Sequence, residues 1–181
     1  MRNRGTLGGD IAHGDPGNDH PAIALALNAT LVLQGPGGER QVPADDFFLG
    51  MCLTAMAEDE VLTAIRVPAQ AGGTGWAYEK LKRKTGDWAT AAAAVVLRLD
   101  GGVVSQVRIA LTNVGPTALR AADAESALLG QPLDEARISA ATAAAMAICD
   151  PADDLRGDRA YKTAMAGQML RRALAKAAAR C

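Results

Sequence analysis

Thr90-Ala91-Ala92-Ala93-Ala94-Val95-Val96-Leu97-Arg98-Leu99, then Asp100-Gly101-Gly102, then Val103-Val104-Ser105-Gln106-Val107-Arg108-Ile109-Ala110-Leu111, is the stretch that decides the fold of this 181-residue chain. Two β-type runs flank an Asp-Gly-Gly turn, which reads as a hairpin. Just upstream, Trp76 to Arg83 is extended, with Tyr78 among charged residues, and supplies a third antiparallel strand. Pro116 ends the strand character. Three helical stretches follow, at about 117–129, 134–148 and 158–178, punctuated by Gly130, Asp150-Pro151 and Gly157. In the last, Met165, Met169 and Ala173 share one stripe and Ala166, Leu170 and Leu174 its neighbour, which marks a face packed on the sheet.

Working back, Ala69 to Gly75 is small, polar and flexible, and the charge balance changes sign across it. Residues 1–70 hold four basic and nine acidic side chains, residues 71–181 fifteen and eleven. A domain boundary here gives units at 1–70 and 75–181. In the first, Asp19 caps a helix with Pro21 in its first turn and Ala22 to Leu27 as its body. Thr30 to Gln34 and Glu39 to Val42 form a hairpin around Gly35-Pro36-Gly37-Gly38. Pro43 to Phe48 reads as a turn into a short helix carrying both phenylalanines. Val61 to Val67 is a strand stopped by Pro68.

Apolar content of 49% and charged content of 22% fit a globular protein, and a net charge of −1 gives no electrostatic reason to expect nucleic acid. No apolar run approaches the roughly twenty residues that span a bilayer. Cys52, Cys149 and Cys181, with His13 and His20, show no metal-ligand spacing, and such a sparse set suits a reducing cytoplasm.

Two stretches invite chemistry. In Arg2-Asn3-Arg4-Gly5-Thr6-Leu7-Gly8-Gly9-Asp10-Ile11-Ala12-His13-Gly14-Asp15-Pro16, the Gly8-Gly9 pair allows backbone N–H groups close to a phosphate, as in a dinucleotide cradle; the plain alternative is a turn that holds nothing. His13 lies near Asp15 without an adjacent Ser or Cys, so it reads as a loop histidine rather than a catalytic base. Cys52, between Met51 and Leu53, reads as a buried thiol. The basic run Lys80 to Lys84 ends in Thr85-Gly86-Asp87-Trp88, which offers an indole on a turn. That indole either stacks on a flat ligand or packs between domains.

The glycine stretch, with Asp15-Pro16, Asp19-His20-Pro21, Ala44 to Gly50, Glu60-Val61-Leu62 and Arg66-Val67-Pro68, resembles the flavin-binding domain of the molybdenum hydroxylases. Tyr78 to Thr90 and the helix containing Met165-Ala166 and Leu170 to Ala173 are similar to the C-terminal domain of the same subunit. The likeness is nearest to the medium, FAD-binding subunits of aerobic carbon monoxide dehydrogenases.

The resemblance implies an α+β fold: the second lobe of a PCMH-type FAD-binding domain, then a C-terminal domain with a three-stranded antiparallel sheet packed by a helical bundle. It implies FAD as cofactor, with Thr6, Leu7, Gly8, Gly9 and Asp10 matching the second of two glycine loops that hold the pyrophosphate. Asp19 matches an acidic residue near the cofactor. Trp88 stands where the family usually places a tyrosine beside the isoalloxazine ring. Asp10 replaces the commoner Asn or Ser, a negative charge that should weaken pyrophosphate binding unless Arg2 or Arg4 offsets it.

Family members carry a first lobe ahead of this point, so the expectation is a chain truncated at its N-terminus, or completed by another polypeptide, that binds FAD weakly alone. The implied role is an oxidoreductase subunit without acid–base catalysis. It takes electrons from an iron–sulfur small subunit, fed by a molybdenum large subunit, to an external acceptor. The contrasting expectation is a non-catalytic remnant that serves only in subunit contact.

Overall fold

The computed structural model describes residues 4–181, so the expectation that Arg2 offsets Asp10 lies outside the described residues. Two helices open the chain, α1 (Leu7–His13) and α2 (Asp19–Ala26). Strands β1 (Thr30–Gly35) and β2 (Gly38–Pro43) form the expected hairpin, and a 3₁₀ turn follows at Ala44–Asp46. After it come β3 (Phe48–Gly50), β4 (Leu53–Thr54) and β5 (Val61–Arg66), and β5 pairs antiparallel with β1 to give a sheet of order β2-β1-β5.

The second sheet consists of β6 (Thr74–Leu81), β7 (Ala91–Asp100), β8 (Val103–Thr112) and β9 (Leu119–Arg120), antiparallel in that order. Helices α3 (Ala122–Leu128), α4 (Glu135–Ala147) and α5 (Arg159–Ala178) complete the chain. Ala166, Met169, Leu170, Ala173 and Leu174 of α5 are buried in one core with Ala91, Ala93, Val95 and Leu97 of β7, so the two stripes expected on this helix do face the sheet.

The opposite face of β7 is buried as well. Ala94 and Val96, with Ala110 of β8 and Ala118, share a second core with Leu25, Leu31, Leu33 and Phe47 of the first seventy residues. A strand buried on both faces loses the apolar–polar alternation of a half-exposed one, which is why Ala91 to Leu97 runs without a polar residue. Its four consecutive alanines leave space for layers on either side. The first unit therefore closes its core on the second unit's sheet.

Several elements differ from the sequence reading. The sheet has four strands rather than three, because Leu119 and Arg120 pair with Leu111 and Ala110 before α3 begins. Arg120 is held there by Glu125 and Asp45, each 2.8 Å away. The two phenylalanines leave the 3₁₀ turn rather than ride a helix: Phe47 is fully buried and Phe48 enters β3, the rings meeting edge to face at 5.2 Å. Asn18, not Asp19, occupies the N-cap position of α2, and Asp19 is the first helical residue.

Candidate cofactor site

Thr6, Leu7, Gly8, Gly9 and Asp10 form a helix start rather than an open glycine loop. The Thr6 hydroxyl accepts the Gly9 N–H at 3.0 Å, and the Asp10 N–H reaches the Thr6 carbonyl at 3.1 Å. Gly14, at φ 66°, closes the helix in the left-handed conformation that ends many helices. The amides of Leu7 and Gly8 sit in the first turn, where a helix has N–H groups without intrahelical acceptors and a partial positive charge. A Cβ on Gly9 would stand 3.0 Å from the Thr6 hydroxyl oxygen, a tight contact with the capping group. Gly8 has a different surrounding: a Cβ built on it meets nothing within 4 Å.

The connection from α1 to α2 is fixed from three sides. The Asp15 carboxylate accepts the Gly17 N–H at 2.8 Å, the Pro16 carbonyl accepts the Asn113 N–H at 2.9 Å, and the Gly14 carbonyl accepts the Cys52 N–H at 3.2 Å. Against this loop lies Trp88. A Cβ on Gly17 would stand 2.6 Å from Cε3 of the indole, so the ring rests directly on the glycine backbone, with 37% of the residue exposed. The two alternatives for Trp88 are thus partly combined: it contacts the first unit and still presents a face.

Asp87 precedes it, nearly buried, and accepts the Trp88 N–H at 2.9 Å. Burial pushes the Asp87 carboxyl up, but the Trp88 amide and the Arg156 and Arg83 guanidiniums outweigh it and hold it below the usual carboxylate range.

Asp10 and Asp19 both have partners far along the chain. The Asp10 carboxylate lies 2.7 Å from Nδ1 of His20 on α2, so its partner comes from the next helix. Asp19 accepts the Tyr78 hydroxyl at 2.7 Å and the Lys80 ammonium at 2.9 Å, and Tyr78 also meets the Thr112 hydroxyl at 3.2 Å. Burial first, and the Asp19 carboxylate second, hold the Tyr78 phenol well above its ordinary range. Asp19 thereby ties α2 to β6, and Tyr78 carries the tie on to β8.

Cys52 is exposed rather than buried. It occupies the turn between β3 and β4 at φ 53°, with Met51 and Leu53 also facing outward. Its Sγ lies 3.9 Å from Nε2 of His13, which is 4.0 Å from the Asp15 carboxylate. The fold thus gathers three metal-ligand types that sequence spacing had kept apart. Two surface cavities, of about 270 Å³ beside Asp45, Phe48 and Arg120 and about 190 Å³ beside Asn28, Pro68 and Arg108, lie away from Gly8 and Trp88.

Residues 1–70 match the family described as the FAD binding domain in molybdopterin dehydrogenase, and residues 76–177 match the CO dehydrogenase flavoprotein C-terminal domain. The chain is 65% identical over its whole length to a carbon monoxide dehydrogenase medium chain of Hydrogenophaga pseudoflava, covering 63% of that relative. It is 52% identical, over 99% of its length, to the corresponding chain of Afipia carboxidovorans, covering 62% of it.

Among solved structures, a carbon monoxide dehydrogenase from Hydrogenophaga pseudoflava that lacks the Mo-pyranopterin moiety superposes with a TM-score of 0.98 at 68% identity. That match covers 99% of this chain and 63% of the other. Quinoline 2-oxidoreductase from Pseudomonas putida 86 superposes at 0.90 with 35% identity, covering 98% of this chain and 62% of the other. The chain therefore spans less than two thirds of the length of these relatives.

Proposed function

From a chain that belongs to the CO dehydrogenase flavoprotein family, we infer an FAD-binding electron-transfer subunit of a molybdenum hydroxylase of the carbon monoxide dehydrogenase type. The observation that carries the reading is the pairing of Trp88 with Gly17. It sets a half-exposed indole against the same α1–α2 segment whose Gly8 has an open face.

The residues suit the cofactor. First-turn amides with a positive dipole end favour a pyrophosphate, and the missing Cβ of Gly8 permits its close approach. An indole face suits a flat, electron-poor ring. When bound, FAD supplies the redox chemistry.

In this reading, Thr6 fixes the helix start through its hydroxyl, and the Leu7 and Gly8 amides, with Gly9 behind them, receive the phosphates. Asp10 has its carboxylate engaged by the His20 ring on α2. Asp19 acts by position: held by Tyr78 and Lys80, it keeps α2, and with it the loop under Trp88, docked on the second sheet. Trp88 covers one side of the ring system. None of these groups moves a proton in a reaction step.

The partners are an iron–sulfur small subunit that delivers electrons and a molybdenum large subunit that oxidises the substrate. The holoenzyme is placed in the cytoplasm, a reading supported by three cysteines that are all free. No helix is long and apolar enough to cross a membrane among the described residues. Co-expression of the chain together with the family's first flavin-binding lobe and the two partner subunits tests the assignment. The purified assembly is expected to be yellow with bound flavin, and a colourless assembly with intact iron–sulfur and molybdenum centres overturns it.

A further inference from the structure

The turn that presents Trp88 has little backbone support of its own. Between β6 and β7 it is closed by the Thr90 N–H on the Leu81 carbonyl at 2.8 Å and by the Asp87 N–H on the Lys84 carbonyl at 3.2 Å, with Gly86 at φ 78°. Two side chains add to this: the Asn113 amide donates to the Ala89 carbonyl at 2.5 Å, and the Asp87 carboxylate, 7% exposed, reaches the Trp88 amide itself. One oxygen accepts the Trp88 N–H at 2.9 Å and Nη2 of Arg156 at 3.4 Å; the other accepts Nε of Arg83 at 3.4 Å.

The two cations are not equivalent. Arg83 is mostly in solvent, where an ion pair contributes little. Arg156 is largely covered, and its Nε is buried with no hydrogen-bond partner among the described residues.

Arg156 itself stands on a braced base in the connection between α4 and α5. Its backbone N–H donates to Asp154 at 2.7 Å, and Asp154 also pairs at 2.9 Å with Lys162 of α5. Lys162 is buried and donates to the Ala152 carbonyl at 2.7 Å. A continuous line of charged contacts thus runs from the first turns of α5 to the amide of Trp88. Removing Arg156 would leave a nearly buried carboxylate with only a solvent-screened cation, and such a carboxylate turns outward.

We propose that Arg156 is the positioning residue of Trp88: acting through Asp87, it fixes the angle at which the indole receives the flavin ring. The inference rests on the flavin reading above for its ligand. It rests on the Asp87 geometry for its mechanism.

The test uses the chain with Trp76→Phe, which leaves Trp88 as the sole indole and keeps a ring beneath Arg180. Arg156→Leu in this background is expected to expose Trp88 to acrylamide quenching without FAD, and to raise the dissociation constant for added FAD about tenfold, ~1.4 kcal/mol. Arg156→Lys, which keeps the cation, is expected to restore most of the shielding, and Arg83→Leu to change neither reading.

Unchanged acrylamide quenching and unchanged FAD affinity in Arg156→Leu overturn the proposal while leaving the flavin assignment standing. If the parent chain alone takes up no FAD, the flavin assignment is decided by the co-expressed assembly, and the acrylamide comparison, made without FAD, decides whether Arg156 holds Trp88. Should Arg156→Leu not fold, Asp87→Asn replaces it: loosened Trp88 in a folded protein supports the proposal, and an unmoved Trp88 overturns it.

Discussion

The indole of Trp88 lies on Gly17 at a spacing that admits no side chain, a methyl group there falling 2.6 Å from Cε3 and 3.2 Å from Cζ3. The contact joins the two halves of the chain at the point where a flavin ring is to be received. Gly17→Ala must push the ring away, because an indole is rigid and the loop beneath it is tied down on three sides. The expected cost is about 1–3 kcal/mol in denaturant unfolding, as for other overpacked contacts. Trp88 emission shifts toward that of a solvated indole. An unshifted emission and unchanged midpoint would show that the contact is slack.

Tyr78 carries the second tie between the halves. Its phenol is held well above the ordinary range, so its contribution to stability is complete below the unfolded value of about 10 and is lost as pH rises toward the folded one. Alkaline titration followed by tyrosinate absorbance should show Tyr78 ionising only as the protein unfolds. Tyr78→Phe is expected to cost about 1–3 kcal/mol by leaving Asp19 one donor short.

On the acid side, the Glu60 carboxyl is held down to about 2, first by the Arg40 guanidinium, at 2.6 Å and 2.7 Å, and then by the Ala57 N–H. A depressed carboxylate stabilises the fold above its unfolded pKa, about 4.3, and that support is lost as pH falls toward the folded value. Arg40→Met should therefore lower stability most at neutral pH and by less and less as pH falls through this window, so that its stability declines less steeply with acid than the parent's.

Thiol labelling distinguishes the cysteines. Burial pushes the Cys149 thiol up to about 11, whereas Cys52 sits exposed on the β3–β4 turn. Iodoacetamide at mildly alkaline pH is expected to modify Cys52 readily and Cys149 only on unfolding, as peptide mass mapping would show. Rapid modification of Cys149 in the folded chain would contradict its burial.

What the sequence made legible was local. The Asp100-Gly101-Gly102 turn, the first hairpin and the α5 stripes are set by neighbours a few residues apart, and they form as read. The glycine stretch was harder. Gly8 and Gly9 each disfavour helix by about 1 kcal/mol against alanine, yet the Thr6 cap, the Gly14 stop and the burial of Ile11 prevail. Strand β9 is two residues long and exists because β8 offers an open edge, which no periodicity announces.

Cys52 was misread because Met51 and Leu53 suggested a core, whereas all three sit at a turn that projects outward. Of the candidate site, the residue types were legible through the family likeness. Their partners were not: Asp10 with His20, Asp19 with Tyr78 and Asp87 with Arg156 are separated by 10, 59 and 69 residues. Only the packing of the first unit on the shared sheet brings the second of these together.

The central claim is that α1 and Trp88 together receive FAD, and one titration addresses both ends. FAD is added to the Trp76→Phe chain and to the same chain carrying Gly8→Ala while Trp88 emission is followed. Alanine at position 8 meets no protein atom within 4 Å and favours the helix, so the fold is kept or strengthened by about 0.5–1 kcal/mol. The account predicts saturable quenching of Trp88 in the parent, relieved by competing ADP, and markedly weaker binding in the alanine variant. Quenching that is identical in the two chains would contradict it.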